Sequence, residues 1–305
     1  MGFSPSWAEP DIWMRKNGDI YEYISIYVDD LAIAAHEPQS IVDQLVNVHN
    51  FKLKGSGTIM YHLGMDFFRD DDNTLCIAPH KYITKMMMAF EQMFGSKPKT
   101  NVQSPLEKGD HPELDNSEEL DDDDTSKYQS LIGTLQWAIS IGRIDITTAV
   151  MTMSSFRSAP RRGHLERLKR IYGYLAKFPH AALRLRVFEP DLTALQEPVV
   201  DWTYSVYGEG AELIPHEMPP AIGNQVTLIH YVDANLYHDV LSGKAVTGIL
   251  HFVNQTPIDW FSKKQSTVET ATYGSEFVAA RTCVEQAIEL CHTLRYLGVP
   301  MHGKS

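Results

Sequence analysis

Two adjacent aspartates lie between hydrophobic runs in the first part of the chain. Residues 20–28 (IYEYISIYV) and 31–35 (LAIAA) are rich in apolar and β-branched side chains, and Asp29 and Asp30 separate them. This pattern predicts a β-hairpin with both carboxylates at its tip. Adjacent carboxylates repel each other unless a cation neutralises them, and Mg²⁺ prefers such oxygen ligands. The pair is therefore either a site for Mg²⁺ (or Mn²⁺) or a polar turn.

The elements that would surround this hairpin are predicted from periodicity. Residues 58–69 and 74–78 indicate a second hairpin, and helical spacing of apolar residues indicates helices over 82–93, 128–139 and 165–178. Residues 188–224 contain five prolines and three glycines, which favours a boundary between two hydrophobic blocks.

The block after this boundary has a different order of elements. Strands are predicted over 226–233, 245–253 and 257–262, followed by a helix over 273–297. Phe277, Val284 and Cys291 keep close to the helical period, so we expect this stripe to pack against the sheet. The fold class is therefore α+β.

Charge is distributed unevenly along the sequence. The formal net charge of −12 argues against a polyanionic partner. However, nine acids and no Lys or Arg lie within 110–124, a segment that we expect to be a solvated loop, whereas 157–186 contains nine Lys or Arg residues and one acid. The basic region is either a contact for nucleic acid or a solvated helix face.

Cysteine content and hydropathy bear on the compartment. The three cysteines are too few for a disulfide framework, which favours a reducing environment. No apolar run approaches the roughly 18 residues of a membrane span. We therefore expect an intracellular protein without a membrane partner.

Several motifs, in order, resemble the Pol polyprotein of copia-type LTR retrotransposons. YVDD (27–30) is similar to the reverse-transcriptase box, and HLGMDFF (62–68), YQSLIGTLQWA (128–138) and GRIDITTAV (142–150) resemble later segments of that enzyme. WFSKKQSTVETATYGSEFVAA (260–280) resembles a segment of the RNase H module. The similarity around YVDD extends over 2–35 and that from GRIDITTAV continues to 175, so the matches are spread along nearly the whole chain apart from 188–224.

The resemblance implies an architecture. Residues 1–187 would form the end of a reverse-transcriptase palm with its hairpins, followed by a helical thumb and connection. Residues 188–224 would be a linker or insertion, and 225–305 would form the first half of an RNase H-like domain, with an antiparallel sheet and a helix.

The resemblance also implies two sites. Asp29 and Asp30 would hold Mg²⁺ or Mn²⁺ for polymerisation, and Asp233 with Glu276 would hold it for RNA cleavage. Glu276 is the acid retained where the family has EAEY, and a strand aspartate beside a helix-start glutamate could bridge a metal. The family's other carboxylates belong to segments before and after this stretch, so we expect each two-metal site to be incomplete here.

The implied partners are an RNA template, an RNA–DNA hybrid, dNTPs and other Pol segments, in a cytoplasmic particle or the nucleus. The chain would be a fragment of an RNA-directed DNA polymerase with RNase H. The alternatives are a catalytically inactive nucleic-acid-binding remnant and a host interaction module. The expected nucleic-acid contacts are basic residues on and beside one helix: Arg161, Arg162, Arg167, Lys169, Arg170 and Lys177.

Overall fold

The computed structural model describes residues 1–193 and 217–301, which form three antiparallel sheets and six α-helices. Mixed α and β structure is what the sequence pattern predicts, while the palm and RNase H architecture stays a prediction. Within these two ranges, no helix combines the length and apolar character needed to cross a membrane. Of the predicted linker 188–224, residues 194–216 lie outside the described residues.

The first sheet carries the paired aspartates. Its strand order is sequential, and alternation is visible in the third strand, where Glu22 and Ile24 are buried between more exposed neighbours. The hairpin predicted over 20–35 is confirmed by its antiparallel pairing. The elements are β1 (Ser4–Pro5), β2 (Ile12–Asn17), β3 (Ile20–Tyr27) and β4 (Asp30–Ala34), followed by α1 (Pro38–Asn47).

Three of the four strands of the second sheet follow α1 in sequence, over residues 61–78. The predicted second hairpin is confirmed over 65–78, whereas 58–64 contributes only a two-residue strand. A late strand joins the sheet beside this hairpin. The strands are β5 (Tyr61–His62), β6 (Met65–Arg69), β7 (Leu75–Ala78) and β8 (Leu183–Arg184).

Four helices form the main hydrophobic core. Three of them match predicted helices, while the third in chain order was not predicted because it is short. They are α2 (His80–Phe94), α3 (Asp122–Ser140), α4 (Thr147–Ser154) and α5 (Arg162–Lys177). Apolar residues from all four are buried against one another, among them Ile83, Phe90, Leu135, Val150, Leu168 and Leu175.

An ion pair is built into the connection between α3 and α4. The Arg143 side chain is fully buried, and its Nε and Nη2 donate to the two carboxylate oxygens of Asp145 over 2.9 and 2.7 Å. Its Nη1 has no partner among the described residues. The GRIDI motif therefore has a structural role in this chain.

The third sheet has strand order β11-β10-β9, and a long helix packs on one face. The strands are β9 (Leu228–Asp239), β10 (Lys244–Val253) and β11 (Thr256–Lys264), and the helix is α6 (Thr272–Tyr296). These elements match the predicted order of three strands and a helix.

The predicted orientation of α6 is wrong. Phe277 and Val284 are 62% and 57% exposed, whereas Ser275, Ala279 and Cys283 are buried. The buried positions are one turn apart and carry small side chains, so the helix lies close to the sheet. Gln265 reinforces this face because its Nε2 donates to the backbone oxygen of Ser275 over 2.8 Å.

Side chains of the first sheet bind the end of α6. The Tyr23 hydroxyl donates to the Leu297 carbonyl over 2.6 Å, and the Ser6 hydroxyl donates to the Tyr296 carbonyl over 3.3 Å. Carbonyls at the end of a helix have no partner within the helix, so these bonds satisfy them. The first sheet and the last helix are therefore in direct contact.

Candidate functional site

The tip of the β3–β4 hairpin is a two-residue loop. Tyr27 pairs with Asp30, so Val28 and Asp29 make the turn. Val28 has φ +55° and its side chain is 86% exposed. Positive φ suits two-residue hairpin turns but is unfavourable for a β-branched residue. The loop therefore holds a strained backbone beside the two carboxylates.

The two carboxylates at this tip are available to a ligand. Asp29 and Asp30 are exposed, and neither side chain forms an ion pair or hydrogen bond with the described residues. Carboxylate oxygens suit Mg²⁺, which is commonly held by one or two carboxylates together with substrate phosphates. The donor chemistry fits the implied metal. However, no group of three or more His, Cys, Asp or Glu residues within 1–193 and 217–301 is arranged to hold a metal ion.

Asp233 lies in the middle of β9 on an open part of the sheet. It is exposed and pairs with Gly248, and no other described atom lies within 4 Å of the position where a Cβ at Gly248 would be. Its neighbour Ala234 is buried and pairs with Thr247, whose hydroxyl accepts from Gln265 on the α6 side of the sheet. Because side chains alternate along a strand, Asp233 projects from the other face.

Glu276 lies near the start of α6 and is half-buried. Its carboxylate, like that of Asp233, has no ion pair or hydrogen bond with the described residues. The register therefore sets Asp233 on the sheet face away from α6, while Glu276 is carried by α6 itself. Their use of a common metal stays a prediction.

The basic residues of α5 are engaged by acids of the segment that precedes α3. Arg167 donates through Nε and Nη2 to the Asp110 carboxylate over 2.7 and 2.8 Å, and through Nη1 to Asp115 over 2.6 Å. All three side chains are largely buried. Hydrogen bonds from Arg167 to Asp110 in particular raise the pKa of the guanidinium.

The remaining predicted contact residues also have partners. Arg161 and Arg162 pair with acids over 3.0 and 3.7 Å, Arg170 with another over 2.9 Å, and Lys169 with a helix neighbour over 2.7 Å. The partner acids are Glu119, Glu118, Glu107 and Glu166 respectively. Lys177 donates to a backbone carbonyl, that of Val102, over 2.8 Å.

Residues 115–117 pack closely against the first turn of α5. The Gly163 N–H donates to the Ser117 hydroxyl over 2.9 Å, and a Cβ at Gly163 would collide with the Asp115 carboxylate. Burial tends to raise the pKa of Asp115, but hydrogen bonds from Ser117 and Arg167 lower it overall. The prediction that 110–124 is a solvated loop is therefore wrong for Asp110 and Asp115, whereas Glu118 and Glu119 are exposed as predicted.

His164 also links the start of α5 to the segment around Pro112. Its Nδ1 accepts from the Arg161 backbone N–H over 3.0 Å, and its Nε2 lies 2.9 Å from the Pro112 carbonyl oxygen. This arrangement fits a neutral imidazole with the proton on Nε2. Burial lowers the pKa of His164, in agreement with the neutral form. His164 is therefore a buried packing residue in the first turn of α5.

Sequence reasoning missed the pairing of these segments. The acids and the basic residues are each recognisable as a run, but Asp110 and Arg167 are 57 residues apart. Opposite charge in two runs of one chain was the available signal. Gly163 gave a second signal, because the Asp115 carboxylate lies where any other residue would place its Cβ.

Several known proteins are similar to this chain over most of its length. The chain is 25% identical over 300 residues to the retrovirus-related Pol polyprotein from transposon RE1 of Arabidopsis thaliana, covering 98% of this chain. It is 25% identical over 303 residues, 96% of this chain, to the corresponding polyprotein from transposon TNT 1-94 of Nicotiana tabacum. The chain is similar to retrotransposon Pol polyproteins over most of its length. This confirms the copia-type resemblance found in its motifs.

A shorter relative of this Pol-related chain is a putative transposon Ty5-1 protein of Saccharomyces cerevisiae, with 26% identity over 241 residues. That match covers 75% of this chain and 69% of the yeast protein. The Pol-related chain spans only 18% of the RE1 polyprotein and 20% of the TNT 1-94 polyprotein. No protein-family model and no solved structure matches it.

Proposed function

We propose that the chain is part of an RNA-directed DNA polymerase with RNase H from a copia-type retrotransposon. The observation that carries this proposal is the pair of free, exposed carboxylates of Asp29 and Asp30 at a hairpin tip, in a chain related to Pol polyproteins. Because the chain spans about a fifth of the RE1 polyprotein, we assign the activity to the larger protein.

DNA synthesis joins the 3′-hydroxyl oxygen of a primer to the α-phosphorus of a dNTP, and pyrophosphate leaves. Asp29 and Asp30 would hold Mg²⁺ or Mn²⁺ through their oxygens. The bound cation would neutralise phosphate charge and lower the pKa of the attacking hydroxyl. The short loop through Val28 restricts the tip, which keeps both carboxylates at one end of the hairpin.

Cleavage of the RNA strand is assigned to the second module. Asp233 and Glu276 would supply oxygen ligands for the same kind of cation. No other described atom lies within 4 Å of the position where a Cβ at Gly248 would be, so the sheet surface beside Asp233 is uncovered there. The RNA–DNA hybrid would also meet α5, where phosphates would contact Arg161, Arg162, Arg167, Lys169, Arg170 and Lys177.

A second candidate is favoured by one observation. Two-metal phosphoryl transfer requires more ligands than two carboxylates supply, and no group of three ligating residues occurs in the described ranges. The chain by itself could therefore be a catalytically silent protein that binds nucleic acid. For this reason we expect the purified chain not to extend a primer on poly(rA) with Mg²⁺ or Mn²⁺.

Metal binding at the hairpin tests the first candidate directly. We expect Mn²⁺ to broaden the amide resonances of residues 27–31 in the NMR spectrum, and the effect to vanish in Asp29→Asn/Asp30→Asn. Asp71→Asn is a matched control, because Asp71 is an exposed acid at the turn of another hairpin. Broadening that persists in the double variant would contradict the assignment of these carboxylates.

Primer extension then separates the two candidates. Incorporation by the purified chain that disappears in Asp29→Asn would refute the silent candidate. Absence of incorporation together with Mn²⁺ binding at the hairpin would support a site that needs other segments of a Pol protein. Reading the flanking genomic DNA for a strand with a further aspartate is an independent check.

A further inference from the structure

An acidic segment, residues 107–119, lies along the first turns of α5. Its carboxylates reach four arginines of that region: Glu107 reaches Arg170, Asp110 and Asp115 reach Arg167, Glu118 reaches Arg162, and Glu119 reaches Arg161. The same arginines are the residues that the proposed function assigns to nucleic-acid phosphates. The segment therefore covers the face that a hybrid would need.

The segment occupies this face in the way an anionic ligand would. The N-terminus of a helix attracts anions because its backbone N–H groups are free and its dipole is positive there. The Asp115 carboxylate lies against Gly163 in the first turn of α5 and accepts from Arg167. Asp110 meets the same guanidinium through both of its oxygens, which is also how arginine binds phosphate.

The contacts differ in strength along the segment. The carboxylates of Glu107, Glu118 and Glu119 are 70%, 85% and 67% exposed, so water screens their ion pairs and these contribute little to stability. The Arg167 cluster is largely buried and forms the stronger part. Backbone bonds anchor the far end, where the Arg162 N–H donates to the Glu118 carbonyl over 2.9 Å.

We propose that the acidic segment is an internal competitor for the nucleic-acid-binding face of α5, which phosphates must displace in order to bind. This rests on the proposed function, because it takes α5 as the phosphate contact. Phosphates first replace the exposed glutamates at their arginines. The Asp110 and Asp115 carboxylates then separate from Arg167. The segment thereby weakens binding to isolated phosphates and favours a polyanion that meets several arginines at once.

Gly163→Ala tests this without altering any charge. Its new Cβ would collide with the Asp115 carboxylate and expel it from Arg167. Gly133→Ala is the matched control, because Gly133 is also helical and nothing lies within 4 Å of its Cβ position. Asp110→Asn/Asp115→Asn releases Arg167 by a second route, should the alanine variant fold poorly.

The measurement is the affinity for a short RNA–DNA hybrid as a function of salt. Gly163→Ala and Asp110→Asn/Asp115→Asn should bind more tightly than the unmodified chain at low salt. The slope of log K against log salt should steepen by about 1 for each arginine released. Gly133→Ala should bind like the unmodified chain. A protease specific for glutamate, whose sites in 107–119 are the same in every variant, should cut this segment faster only in the first two variants.

Two outcomes would overturn the proposal in distinguishable ways. If protease shows that the segment is released but affinity and salt slope stay unchanged, the segment does not compete, while hybrid binding itself stands. If neither the unmodified chain nor any variant binds the hybrid, the phosphate contact on α5 fails and the competition fails with it.

Discussion

Replacing Asp145 by alanine would leave the Arg143 guanidinium buried without a counter-charge. Arg143 is fully buried and donates twice to this carboxylate. Breaking a buried ion pair by removing one partner costs about 3–5 kcal/mol. Asp145 is 28% exposed, so water can partly replace it, and we expect the low end, about 3 kcal/mol. That is a large part of the roughly 5–15 kcal/mol that holds a domain folded.

Replacing the other partner of this ion pair should lower the free energy of unfolding by less. Arg143→Met removes the buried charge and leaves Asp145 in contact with water, so the expected loss is about 1 kcal/mol. Urea unfolding followed by far-UV circular dichroism gives the free energy of unfolding of each variant. A loss for Asp145→Ala equal to or smaller than that for Arg143→Met would refute the reasoning.

Three further predictions concern the hairpin, the acidic segment and the first sheet. Val28→Gly should raise the free energy of unfolding slightly, since it relieves a positive-φ cost of about 1–2 kcal/mol at an exposed side chain. The backbone entropy of glycine offsets part of this gain. A lower thermal midpoint for the variant would contradict the prediction. Burial lowers the pKa of His164, so the unfolded chain takes up a proton below about pH 6.5 that the folded chain refuses. The free energy of unfolding should therefore fall as pH drops below that value, less steeply in His164→Gln, and equal slopes would count against this role. Hydrogen bonds from Arg15, then Asn17, lower the pKa of Glu22, so Glu22→Gln should destabilise the chain at neutral pH. The difference should disappear as pH falls through the lowered pKa, below 4.5, and a pH-independent difference in urea unfolding would exclude the ionic contribution.

Local features of this fold could be predicted from sequence. The hairpin that carries Asp29 and Asp30 is specified by two adjacent strand-like runs, and its pairing involves residues close in the chain. The three strands and helix of the last sheet are likewise given by periodicity. In these cases the hydrophobic pattern and the contact it specifies lie within the same short window.

Features that depend on distant partners could not be predicted. The α6 stripe with Phe277 and Val284 has the more apolar side chains, yet the sheet selects the small face with Ala279 because it permits close approach. The acidic segment likewise has the composition of a solvated loop, and its contacts with α5, including those with Arg167 and Gly163, order it. Composition describes a segment alone, whereas these outcomes depend on the surface it meets.

The hydrogen bonds between the first sheet and the last turn of α6 have a consequence for how the chain folds. Ser6 and Tyr296 are 290 positions apart, so this closure depends on nearly the whole described chain being in place. The entropy of closing a loop grows only with the logarithm of its length, so such contacts are thermodynamically affordable. We expect them to form late, however, because contacts of large sequence separation slow folding. The last turn of α6 should therefore gain protection from hydrogen exchange after the helical core has formed.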